Sequence, residues 1–99
     1  MKLRINPLVA VDLKNIRDFI AEDNEEAARK TVDEIYKSFE NLQQFPNMGA
    51  DLSKRVSFKT DYKYLAHGNY ITLYRIRQDC VEICRMIDRY QDLTEVLFR

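Results

Sequence analysis

The residues of this chain that can do chemistry are mostly cations. Lys54-Arg55, Lys59 and Lys63 put four positive charges into ten residues, interleaved with Phe58, Tyr62 and Tyr64. Functionally that is a surface for phosphates, with rings available for stacking bases. The alternative is a solvated strand whose aromatics face the core. Arg75, Arg85 and Arg89 follow further along. His67 is the only histidine and a candidate general base, but its neighbour Gly68 marks it as an exposed turn residue. No His/Cys/carboxylate group stands at ligand spacing, so neither a metal nor any other cofactor is expected. Cys80 and Cys84 are the only cysteines. In a strand their Cα atoms lie roughly 13 Å apart, beyond the reach of a disulfide, so they read as two half-buried thiols.

These groups have to be held by a small number of elements. Lys2–Asn6 alternates apolar and polar residues and reads as a short strand. Asn6-Pro7 is a helix entry, with proline tolerated in the first turn. Val9, Leu13, Ile16 and Ile20 then mark one face of a helix ending near Glu22, with Asp12, Lys14, Asp18 and Glu22 on its other faces. Asp23 and Glu26 form a capping-box pattern. Beyond them Ala28, Val32, Ile35, Phe39 and Leu42 define a second helix from about Asn24 to Gln44, stopped by Phe45-Pro46. So short a connection makes the pair an antiparallel hairpin. Asn47-Met48-Gly49 reads as a turn with Gly49 at positive φ.

The second half reads as strands. Val56–Lys59 and Tyr62–Leu65 form one interrupted strand, and His67-Gly68-Asn69 turns the chain. Tyr70–Ile76 and Val81–Ile87 make a hairpin across Arg77-Gln78-Asp79-Cys80. Pairing Ile76 with Val81 sets Arg75 opposite Glu82, a structural pair of about 0.2–1 kcal/mol, and Leu73 opposite Cys84. Arg85 falls on the opposite face and has Asp88 or Asp92 as local candidates for pairing. Both faces of this hairpin are largely apolar, so both require cover. The helices supply one cover. The C-terminal segment, a second copy or a partner must supply the other. The expected fold is α+β: an N-terminal strand, a two-helix hairpin, then a three-stranded antiparallel meander, all in one twisted sheet within a single domain spanning residues 1–99.

Ninety-nine residues with 45% hydrophobic and 32% charged side chains describe an ordinary globular chain. No apolar run approaches a membrane span, and Asp12 and Lys14 interrupt any signal-peptide core. A cytoplasmic location is therefore expected. The net charge is zero, yet residues 1–52 carry seven cations against ten anions, and residues 53–99 carry nine against six. The basic half suits an acidic partner. The zero total argues against a protein that must grip a ribosome electrostatically.

Four segments in order resemble the RelE/ParE superfamily of bacterial toxins over nearly the whole chain. They are Phe45-Pro46-Asn47-Met48-Gly49, Tyr74-Arg75-Ile76, Val81-Glu82-Ile83-Cys84-Arg85, and Gln91-Asp92 followed by Val96-Leu97-Phe98. The resemblance implies the toxin half of a type II toxin–antitoxin (plasmid stabilisation) pair, with a cognate antitoxin as partner. Its two branches differ in chemistry. RelE-type members cut ribosome-bound messenger RNA, which needs a base for the 2′-hydroxyl, cations for the phosphorane and a leaving-group acid. ParE-type members inhibit DNA gyrase and need no catalytic set.

Laid on this chain, the RelE-type pattern keeps one lysine, at Lys63. Its other positions fall on Asp61, Tyr70, Gln91 and Leu97. The resemblance thus implies a ParE-type gyrase inhibitor rather than an enzyme, with Arg85, Arg89, Gln91, Asp92 and Phe98 as target-binding candidates. Many ParE-like chains carry paired arginines where this one has Arg89-Tyr90-Gln91-Asp92. Two alternatives accompany this reading. One is a nuclease with a rearranged site built from Lys59, Lys63, Arg85, Arg89 and His67. The other is a degenerate toxin that only captures its antitoxin. A homodimer is a further expectation, as one way to cover the second sheet face.

Overall fold

The computed structural model describes the backbone of residues 1–98 and the side chains of all of these but Thr94 and Phe98. Strand β1 (Lys2–Ile5) leads into α1 (Pro7–Ala21) and α2 (Glu25–Gln44). A two-residue strand β2 (Ala50–Asp51), a single 3-10 turn at Leu52–Lys54, and strands β3 (Lys63–His67), β4 (Tyr70–Arg77) and β5 (Cys80–Asp88) follow. A short helix α3 (Leu93–Phe98) ends the described chain. The strands lie in the order β1-β5-β4-β3-β2.

The α+β class and the helical hairpin are as the sequence predicts. The sheet differs in two details: β2 adds a short edge strand, and β1 runs parallel to β5 while the other pairs are antiparallel. Two helices between β1 and the meander return the chain to the same end of the sheet, which makes that one pairing parallel. Val56–Lys59, expected as strand, lies outside any strand. The cations crowded around Val56 and Phe58 have no partner strand there, and pairing starts only at Lys63.

Local chemistry sets the helix ends. The Asn6 side chain accepts from the amide of Leu8, with Pro7 in the first turn. Asn24, rather than the expected Asp23, caps α2 by accepting from Ala27 N. Its extended backbone leaves the following amides free to meet the side chain.

The core has two layers, one on each side of the sheet. Val9, Leu13 and Ile16 of α1 and Ile35, Phe39 and Leu42 of α2 pack on Tyr74, Val81, Ile83 and Met86. Beneath the sheet, Leu52, Leu73 and Ile87 are covered by Val56, Tyr62 and Tyr64 and by Leu93, Val96 and Leu97 of α3. The second face is therefore closed from within the chain, by its C-terminal segment and by residues 52–64.

The hairpin register corrects one expected contact. Arg75 opposes Glu82 and Tyr74 opposes Ile83, but Leu73 then opposes Arg85 rather than Cys84. Cys84 is the extra residue of a β-bulge. Beyond it the alternation of β5 is shifted by one. Met86 consequently joins the helix-side core and Ile87 the lower layer, the reverse of a regular strand.

Gly49 is also placed for a different reason than expected. Positive φ occurs at Gly68 and Gln78, each in a hairpin turn, and not at Gly49. A Cβ at Gly49 would sit 2.5 Å from the Tyr74 hydroxyl and 2.6 Å from the Tyr64 carbonyl oxygen. Glycine is required there for close approach.

Candidate functional site

The bulge in β5 organises the surface beside it. Asp12, on the sheet-facing side of α1, accepts from Arg85 Nε at 2.8 Å and from a terminal nitrogen of the same guanidinium at 3.0 Å. It also accepts from the backbone amide of Met86 at 3.0 Å. Strand β1 ends opposite Ile83, and beyond it a carboxylate from the helix layer serves the Met86 amide of β5. This contact holds the Arg85 guanidinium above its ordinary pKa, chiefly through the hydrogen bond to Asp12. Neither Asp88 nor Asp92, the expected local partners, pairs with Arg85. Such a two-pronged pair fixes the side chain against α1.

Around that pair lies an open groove of about 330 Å³, lined by Asp12, Asn15, Phe19, Tyr70, Arg85 and Gln91 among others. Phe19 stands on its rim, 69% exposed. Burial, and then the nearby Asp88 charge, push the Tyr70 hydroxyl above its ordinary pKa. Beyond the groove, β5 ends in a tight turn built from its own side chains. Gln91 Oε1 accepts from Asp88 N at 2.8 Å, and Asp88 Oδ1 accepts from Tyr90 N at 2.9 Å. Two backbone bonds, Arg89 N to Asn69 O and Gln91 N to Asp88 O, close it. Asp92 then starts α3: its side chain accepts from Glu95 N and its carbonyl from Val96 N. The turn presents Arg89 and, 84% exposed, Tyr90.

The target-binding candidates are thus drawn to one end of the sheet but divided among roles. Arg85 is held by Asp12, Gln91 stabilises the turn, Asp92 caps a helix, and Arg89 faces solvent. The Phe98 side chain lies outside the described residues. Sequence reasoning missed Asp12, Phe19, Tyr70 and Tyr90. Asp12 alone left a trace, as a charge beside Leu13 and between Val9 and Ile16 on the buried face of α1.

Several cations of this stretch are engaged within the fold. Lys63 Nζ lies 2.8 Å from Asp51 Oδ1, and the lysine side chain is only 16% exposed. That pairing lowers the Asp51 pKa. Arg55 lies over the Tyr64 ring at 5.3 Å and Arg75 over the Tyr62 ring at 4.7 Å. Each of these two rings has a face occupied by a guanidinium and packs toward the lower core. Arg75 also lies 3.4 Å from Glu82 and 3.7 Å from Asp61. His67 ends β3 rather than sitting in the turn, 3.2 Å from Glu34 of α2. It pairs with Tyr70 on β4, whereas Arg85 lies on β5 opposite Leu73 and is bound to α1. Among the described residues, no group of His, Cys, Asp or Glu is arranged to hold a metal ion, and no helix is long and apolar enough to cross a membrane.

Comparison with known proteins agrees with this architecture. Residues 3–93 match the family model "ParE toxin of type II toxin-antitoxin system, parDE". A solved chain from the chromosomal ParDE TA system of P. aeruginosa is similar with a TM-score of 0.73 and 25% identity, covering 89% of this chain and 95% of that one. No curated protein matches.

Proposed function

The chain belongs to the ParE toxin family of type II toxin–antitoxin systems, and from that premise we propose that it inhibits DNA gyrase and is neutralised by a cognate antitoxin. It would do so in the cytoplasm as a single toxin domain, by binding rather than by cutting RNA. One observation carries the choice of target. Four of the five positions of the RelE-type catalytic pattern are occupied here by Asp61, Tyr70, Gln91 and Leu97, and the fifth, Lys63, is tied to Asp51. A single lysine tied up in an ion pair cannot both activate a 2′-hydroxyl and stabilise a phosphorane.

The antitoxin has a surface to occupy on α1. Leu8, Val11 and Phe19 are each more than half exposed and recur on one side of the helix. An amphipathic or extended segment laid along them would end beside the groove at Phe19, next to the Arg89-Tyr90 turn. Neutralisation then follows from keeping the target away from that end of the molecule, with the Tyr90 ring itself left untouched by the segment.

The test is a supercoiling and cleavage-complex assay with the purified chain, titrated with and without its antitoxin. Inhibition that the antitoxin reverses is the expected result. Folded protein without effect on gyrase, but with antitoxin-sensitive arrest of translation, would move the target to the ribosome. No effect on either would make the chain a module that only captures its antitoxin.

A further inference from the structure

We propose that the turn after β5 is the contact by which this toxin engages its target, with Tyr90 inserting into an apolar pocket of a protein and Arg89 pairing with an acidic group at that pocket's edge. The inference deepens the reading of the chain as a binding toxin and rests on it. It starts from a division of labour among neighbouring residues. Asp88 and Gln91 spend their side chains on the turn's own amides, and Asp92 begins α3. Arg85 is locked by Asp12. What the turn leaves pointing outward is Arg89 and Tyr90, the latter the most exposed large hydrophobic side chain among the described residues.

Exposing an aromatic ring on a rigid turn means that little ordering remains to be lost on binding. Tyrosine and arginine are also the residue types that most often dominate protein interfaces. The Asp88 and Gln91 that anchor the turn also border the groove below Phe19. The knob therefore continues into a larger surface, as it must, because one ring covers only about 150–250 Å² of the roughly 800 Å² a stable interface needs from each partner.

Charge decides the class of partner. Arg89 is the one cation in the turn sequence of residues 88–91. One cation is too few to grip a nucleic-acid backbone, which takes several phosphate contacts, whereas a single acidic group at the edge of an apolar protein pocket needs only one.

The experiment compares wild type with Tyr90→Ala, Tyr90→Phe and Arg89→Ala, with Lys30→Ala on the outer side of α2 as control. Growth arrest on induction, gyrase inhibition, antitoxin affinity and melting temperature are read for each. Truncating Tyr90 should weaken toxicity about tenfold or more, and Arg89→Ala by a smaller factor. Tyr90→Phe should retain most of the potency, since the ring carries the contact. Melting temperature and antitoxin affinity should stay at wild-type values.

Full toxicity in both Tyr90→Ala and Arg89→Ala overturns the inference while leaving gyrase inhibition standing. Loss of toxicity in these variants with a wild type that does not inhibit gyrase supports the turn and rejects gyrase. Loss of antitoxin affinity in Tyr90→Ala, or DNA binding by the wild type that Tyr90→Ala abolishes, assigns the turn to another partner and overturns the proposal. A wild type without toxicity overturns both readings.

Discussion

Asp12 holds three donors that have no other described partner: two nitrogens of Arg85 and the amide of Met86. Replacing it with alanine strands a half-buried guanidinium and an amide beside the bulge. The loss should be about 2–3 kcal/mol, between the cost of an unsatisfied buried group and that of breaking a buried pair. Urea unfolding of Asp12→Ala with an unchanged m-value checks it. Arg85→Met, which removes the charge together with its need for a partner, should cost less. Cys84, the bulge residue, makes a second prediction. Burial, and then the Glu82 charge, push its thiol up to about 12 from an ordinary 9.0. It should resist a thiol reagent at pH 8 in the folded protein, where the less buried Cys80 reacts, and both should react in denaturant. The same shift has a sign for stability: above about pH 9 the unfolded chain releases a proton that the fold retains. Stability should be full below pH 9 and fall as pH rises toward 12, a trend that the raised Tyr62, Tyr70 and Tyr74 hydroxyls reinforce. Melting temperatures across that range test it. Neither residue could be read correctly from the sequence alone. A bulge leaves the run Val81–Ile87 looking like a regular strand, and the Asp12–Arg85 pair spans 73 positions.

At the scale of elements, the connection from α2 into the sheet depends on one tyrosine. The buried Tyr74 hydroxyl donates to the Pro46 carbonyl at 2.8 Å and accepts from Gly49 N at 2.9 Å. It thereby pins the Phe45–Gly49 segment over β4. Gly49→Ala would drive a methyl group into that hydroxyl and into the Tyr64 carbonyl. Neither a buried ring nor strand backbone can easily yield, so a loss of about 2 kcal/mol or more is expected. Tyr74→Phe keeps the packing but leaves the Gly49 amide and the Pro46 carbonyl without this partner, and should cost about 1–2 kcal/mol. Thermal unfolding of the two variants ranks them, and Tyr74→Phe more damaging than Gly49→Ala would contradict the steric account. Elements with local signals were legible: the apolar periodicity of α1 and α2, Pro7 and Pro46 at helix ends, and the approximate places of the meander's two turns. The loop over Val56–Lys59, the parallel pairing of β1 and the reason for Gly49 were not. Each depends on what lies across the fold rather than along the chain.

For the whole molecule, charge separates binding from phosphate recognition. The two halves of the chain carry opposite excess charge that cancels in total, and the cations that looked like a phosphate surface are partly spent internally. Lys63 faces Asp51, Arg75 lies between Glu82 and Asp61, and Arg55 covers Tyr64. A protein making six or more phosphate contacts loses about a thousandfold or more in affinity between about 50 and 200 mM salt. A toxin that docks through an aromatic knob and a shallow groove has few such contacts to lose, and screening at these concentrations mainly weakens exposed pairs such as one involving Arg89. Affinity for purified gyrase, measured by titration across that salt range, should therefore change by less than about tenfold. Arg89→Ala should flatten the remaining slope, and Tyr90→Ala should lower affinity at every salt concentration alike. A steep loss that Tyr90→Ala leaves unaltered would mean that the exposed Lys54, Arg55 and Lys59 bind the target. Recognition would then pass from the turn after β5 to that basic loop.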